Sequence, residues 1–180
     1  KTVRGTARIL TVLLAPESLR GIALLVQEAT GDSDVQWAWI PAIGRVRKIV
    51  SPEAYAAFLD SDFTYADLGF VSVGTRYRFA GEEDRAGVHA YKIEGVPKET
   101  WYYSRTVTWV AVDSSLPLER DLYDPAGQLW KVERWDQVSV VDRVPTTLHR
   151  SMEDVQAKTR TDIDVSGVRY DADVPDSLLD

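Results

Sequence analysis

A chain of 180 residues can enclose a core of its own, because folding at this size hides roughly 70% of the surface that the unfolded chain exposes. It contains no cysteine, which excludes disulfide staples and thiolate metal sites. A net charge of −7 excludes the clustered positive field that nucleic-acid binding requires and disfavours adhesion to an anionic bilayer. The longest apolar runs, Val12–Ala15 and Ile22–Val26, fall far short of the ~20 residues of a membrane-spanning helix, so no span is expected.

Taken in chain order, Val3 to Leu14 interleaves Thr and β-branched residues with charges until Pro16, which cannot donate to a sheet ladder. Arg20 to Glu28 repeats the strand pattern, and Ala29 to Asp34 supplies turn residues. Val35 to Ile40 places Trp37 and Trp39 on one strand face by the period-two rule. Pro41-Ala42-Ile43-Gly44 then turns the chain into Arg45 to Val50, where Val46 alternates with Arg45 and Arg47. Ser51-Pro52-Glu53 reads as a helix start, with Tyr55, Phe58 and Leu59 at helical spacing. Asp60 to Gly69 fits either a loop or a second short helix. The run Glu82 to Arg85 reads as a solvated hairpin tip.

The second half returns to strands: Gly87 to Glu94, Trp101 to Val112, Pro117 to Tyr123, Gln128 to Trp135, Asp136 to Val141, Thr146 to Met152 and Lys158 to Val165. Turns at Asp113-Ser114-Ser115, Asp124 to Gly127 and Ser166-Gly167 separate several of them, and Val168 to Tyr170 follows. The acidic tail, Asp171 to Asp180, is expected to be the least ordered segment. No composition shift or fixed-period repeat divides the chain, so one domain over 1–180 is expected. About ten strands with one helical insertion predict a mainly β (α+β) fold: a large antiparallel sheet that must bury one face.

The segment Trp37-Ala38-Trp39-Ile40-Pro41-Ala42-Ile43-Gly44-Arg45-Val46-Arg47-Lys48-Ile49, followed by Ser61 to Leu68, resembles the LolA-like outer-membrane lipoprotein-sorting family. Trp109, Val110, Pro117 and Leu118, then Leu122-Tyr123-Asp124 and Gly127 to Lys131, resemble that family's second hairpin. The resemblance implies a curved antiparallel sheet forming an incomplete (half) β-barrel, with a short helical insertion covering its concave face. It also implies a periplasmic, exported carrier of lipid or lipoprotein acyl chains, without catalysis or cofactor, and by extension an inner-membrane export pump as partner. Relative to that family, the chain is expected to lack a signal peptide and the first elements.

Residue chemistry agrees with a non-enzyme. No GxSxG, HExxH, Walker-type or GxGxxG pattern occurs, and His89 and His149 stand sixty residues apart on strand-like segments. Asp162-Ile163-Asp164-Val165-Ser166-Gly167 matches the opening of a calcium loop, but strand-spaced Ile163, Val165, Val168 and Tyr170 favour a hairpin turn. No metal site is therefore expected.

The tryptophans offer two readings, ordinary core or ligand cavity, since large aromatics dominate both. The candidate apolar lining is Trp37, Trp39 and Trp109 from strands, with Phe58, Phe63 and Leu68 from the helical insertion. Arg45 and Arg47 are candidate rim cations for a phosphate or carboxylate head group. A carrier is the first functional reading. A periplasmic sensor, and a structural module that docks through a sheet edge, are the alternatives.

Overall fold

The computed structural model describes residues 2–3, 6–28, 35–69, 74–98 and 101–179. The chain divides into two compact units: Lys1–Phe58 with Phe63–Val73 and Asp173–Asp180, and Leu59–Asp62 with Gly74–Ala172. Each contains one antiparallel sheet, of five and seven strands, and neither sheet closes into a barrel. The mainly β, antiparallel class expected from the sequence is the one observed.

In the first unit the strands follow chain order: β1 (Thr2–Val3), β2 (Thr6–Val12), β3 (Ala23–Gln27), β4 (Val35–Ile40) and β5 (Arg45–Ile49). The predicted turn at Ala29 to Asp34 lies outside the described residues. Between β4 and β5, Pro41–Ile43 forms a 3-10 turn capped by Gly44 at φ +59 and ψ +34, a left-handed conformation that favours glycine. The predicted helix is a single turn, α1 (Ser51–Ala54). It ends early because the chain folds back on itself, with Phe58 N–H donating to the Phe63 carbonyl and Tyr65 N–H to that of Ala56.

One face of this sheet is core. Leu24, Val26, Gln36 and Ala38 are buried, and the Gln36 amide donates to the Tyr65 carbonyl at 3.2 Å. That bond fastens the segment carrying fully buried Phe63 and Thr64 to β4. Burial of the Thr64 and Asp67 polar groups is offset locally: the Thr64 N–H and hydroxyl both donate to the Asp67 carboxylate at 2.8 Å.

The second unit contains β6 (Thr75–Arg85), β7 (Val88–Pro97), β8 (Arg105–Ala111), β9 (Pro117–Tyr123), β10 (Leu129–Val141), β11 (Val144–Asp154) and β12 (Thr159–Asp164), again paired in chain order. Glu82 to Arg85 belongs to β6, and the hairpin turns at Ala86 and Gly87. Two predicted strands merge into the thirteen residues of β10; Gln137, at φ +53, is a local irregularity within it. No strand forms over Val168 to Tyr170. Asp162, first residue of the calcium-like run, lies in β12 and binds Arg160 and His149.

Charge ladders run across this sheet. Glu133, with no exposed surface, accepts from Arg120 Nε at 3.0 Å and from Arg150. The Trp135 ring lies 5.6 Å and 5.7 Å from the two guanidinium groups. A charge taken out of water is tolerated only with such compensation. Glu133→Ala should therefore destabilise the protein by about 3–5 kcal/mol, leaving two cations without their shared anion. Glu153→Ala, which breaks the half-exposed pair with Arg134, should cost less than about 1 kcal/mol; urea unfolding of the two variants measures the contrast.

At the β6–β7 hairpin, exposed His89 lies 2.9 Å from Glu82 and 3.2 Å from Asp84. The bond to Glu82, then that to Asp84, raises the imidazole pKa above its ordinary value. The stabilisation is fully present below the ordinary imidazole value and is lost as pH rises through the raised folded value. An NMR titration of His89 should show this elevated midpoint, and Glu82→Gln should lower it.

Candidate functional site

Alternation along the strands decides what the second face of the five-stranded sheet carries. Register pairs Leu10 with Leu25, Leu25 with Trp37, and Trp37 with Lys48. The neighbouring row runs Val12, Ala23, Trp39, Val46, and on the other side Arg8 stands opposite Gln27. Residues directly opposite one another share a face, so these rows form an apolar panel with Arg8, Gln27 and Lys48 at its margins.

A cavity of about 410 Å³ lies against this panel, lined by Leu10, Leu25, Trp37, Trp39 and Val46. Arg8, Ala23, Gln27 and Leu179 complete its wall. The volume falls within the range of small-molecule sites, and the mix of aromatic, aliphatic and few polar groups is the kind such sites present. Trp39 keeps 40% of its surface exposed and Val46 63%, so this face is accessible where the Leu24 face is core.

The 173–179 segment borders the same cavity. A 3-10 turn at Asp176–Leu178 leads to Leu179, which is only 4% exposed. Arg8 Nη1 donates to the Leu179 carbonyl at 2.7 Å. The tail expected to be least ordered thus contains a buried, hydrogen-bonded residue.

Among the sequence candidates, the structure brings Trp37 and Trp39 together on the cavity face. Arg45 and Arg47 stand on the other face of β5, opposite Ile40 and Ala38, and exposed Arg47 pairs with Glu53. Phe63 is buried, Leu68 is half-buried, and Phe58 packs edge-on to Tyr65 at 5.3 Å. Trp109 belongs to the second unit, buried with Ala90 and Val107. Its indole N–H donates to Glu83 at 2.7 Å, and this bond, with that from Lys92, holds the Glu83 carboxyl below the usual range.

Sequence reasoning missed Arg8, Leu10, Leu25 and Leu179. Alternation in β2 and β3 carries a signal for the two leucines there. Nothing local signals Leu179, whose partner Arg8 is 171 positions away.

Comparison with known proteins gives a consistent picture. A family described as "uncharacterized protein" matches residues 5–180. A DUF1329 family protein from Desulfovibrio piger is 30% identical, over 95% of this chain and 74% of its own, with a TM-score of 0.88. A domain from Vibrio parahaemolyticus, described as an outer-membrane lipoprotein-sorting protein, is 25% identical over 94% of this chain and 74% of its own, with a TM-score of 0.87. A LolA superfamily protein from Nitrosomonas europaea, 17% identical over 95% of this chain and 75% of its own, shares the fold at a TM-score of 0.65. No curated protein matches the sequence.

The two faces should respond differently to truncation. Leu24→Ala, in the core, should cost about 2–5 kcal/mol, whereas Trp39→Ala, on the cavity face, should cost about 1 kcal/mol. Chemical denaturation of both variants checks the difference.

Proposed function

The chain belongs to the DUF1329 family and has a LolA-like fold, and from that premise we propose that it is a periplasmic carrier that holds lipid or lipoprotein acyl chains against the Trp37 and Trp39 face. The observation that carries this reading is a sheet apolar on both sides, one side core and the other a cavity wall. Antiparallel sheets commonly turn a polar second face to water. An apolar panel beside a cavity is suited to a flexible, water-averse ligand, which gains by removing its own methylenes and the panel from solvent together.

The reading is of a binding protein without catalysis. Both ring nitrogens of His89 face carboxylates, as do both of His149, which leaves neither imidazole placed to activate a nucleophile. Among the described residues no group of three or more His, Cys, Asp or Glu could hold a metal, and no helix is long and apolar enough to cross a membrane. Delivery toward the outer membrane, with an inner-membrane export pump as donor, belongs to the same proposal and draws support from the lipoprotein-sorting description of the Vibrio domain.

Native mass spectrometry of the purified protein, followed by organic extraction, should reveal a co-purifying acyl species released on denaturation. A fluorescent fatty acid should bind, and Trp39→Ala should weaken it about tenfold, or ~1.4 kcal/mol, in a protein that remains folded. A clean apo mass with no probe binding would overturn the carrier reading in favour of a structural module.

A further inference from the structure

We propose that Lys48 selects the head group of the ligand, and that the ligand is an amphiphile with an anionic head, a carboxylate or a phosphate; this rests on the carrier reading above. The register across the Gly44 turn sets Lys48 directly opposite Trp37, whereas Arg45 and Arg47 stand on the other face. Leu10, Leu25, Trp37 and Lys48 form one row over four neighbouring strands, about 14 Å from end to end at ordinary strand spacing. The first three line the cavity, and the fourth is exposed on β5, the last strand of the sheet. An apolar row that ends in a cation has the polarity of a single amphiphile laid along it, chain over the leucines and the indole, head at the ammonium.

The charge of the sheet points the same way. In a chain with 28 acidic residues and a net charge of −7, none of the five strands contains Asp or Glu, and their charged residues are Arg8, Arg45, Arg47 and Lys48. A surface of one sign raises the local concentration of the opposite one. The cations are not equivalent. Arg45 and Arg47 lie away from the cavity, and Arg47 pairs with Glu53. Arg8 donates to the Leu179 carbonyl. Lys48 has no ion-pair partner among the described residues, so an incoming anion displaces no carboxylate from it.

Its position divides the work between chain and head. Val46, two residues earlier on the same face of β5, lines the cavity, and Lys48 continues that face past it. A lysine stem covers apolar surface while its ammonium stays in water. The head group therefore meets its cation without the cost of taking two ions out of solvent, and burial of the chain supplies the affinity. Exposed ion pairs contribute modestly, so Lys48 sets which head is preferred and leaves the affinity for the chain alone.

The test uses the whole chain with Nile red, an uncharged fluorescent dye, and its displacement by laurate, dodecyl phosphate and dodecanol, which share one chain and differ in head. Lys48→Gln should weaken laurate and dodecyl phosphate about three- to fivefold, the size of an exposed ion pair, and leave dodecanol unchanged. Lys48→Arg, which keeps the charge, should bind both anions as the parent does. Arg45→Gln removes the same charge from the other face of the same strand and should leave all three compounds unchanged. The stronger displacer of the two anions tells whether the head is a carboxylate or a phosphate, and either supports the proposal. Anion binding unchanged in Lys48→Gln, a loss that extends equally to dodecanol, or an equal loss in Arg45→Gln would overturn the role of Lys48 while the carrier reading survives. If the parent binds no dye, or none of the three compounds displaces it, the carrier reading falls and this inference with it.

Discussion

Because successive side chains of a strand leave opposite faces of the sheet, Leu24 and Val26 cannot share a side with Leu25, nor Ala38 with Trp37 and Trp39. Each strand must then find two environments for its apolar residues. In β3 and β4 one set is buried with the Phe63-to-Asp67 segment and the other is left beside a cavity. The consequence is a five-stranded sheet whose second face is neither a filled core nor a water-facing polar surface. The candidate site follows from that constraint, because it requires no special loop, metal or strained residue, only two tryptophans two positions apart on a strand.

The second unit obeys the same alternation but resolves it with charge. Along β10, Glu133 on one face meets Arg120 and Arg150, and Arg134 on the other meets Glu119 and Glu153. Glu119 also accepts from Arg85, so the ladder reaches from β6 to β11. Such networks fix register, since a slip of one residue would set every cation on the wrong face. Gly95 shows how tightly the strands are matched there: a Cβ at that position would lie 2.7 Å from the Thr106 hydroxyl. Many of this unit's charged groups are thus paired with one another, and its tryptophan at position 109 is fastened to Glu83.

Much of this architecture was legible in the sequence where the signal is local. Pro117 to Tyr123 is a strand with those same ends, and the Trp37 and Trp39 pair shares a face because a period of two requires it. Legibility stopped where the outcome depended on pairing. Alternation within Arg45 to Val50 separates Val46 from Arg45 and Arg47, yet only the register across the Gly44 turn shows that Val46 and Lys48, not the arginines, join the tryptophans. Helical spacing of Tyr55, Phe58 and Leu59 competed with bonds from Phe58 to Phe63 and from Tyr65 to Ala56, and the reversal won after one turn. Leu179 was invisible because the bond its carbonyl accepts comes from an arginine near the other end of the sequence.

That last contact bears on how a binding surface can remain apolar without becoming a liability. Exposed apolar panels favour association between chains, and a sheet cannot simply exchange Trp37 or Trp39 for polar residues without losing the wall itself. Covering the panel with a strand would solve exposure but would add a ladder of backbone bonds that a ligand must break. Leu179, buried beside the cavity with its carbonyl accepting from Arg8, lies between these extremes: it takes part of the cavity edge out of water without adding a strand.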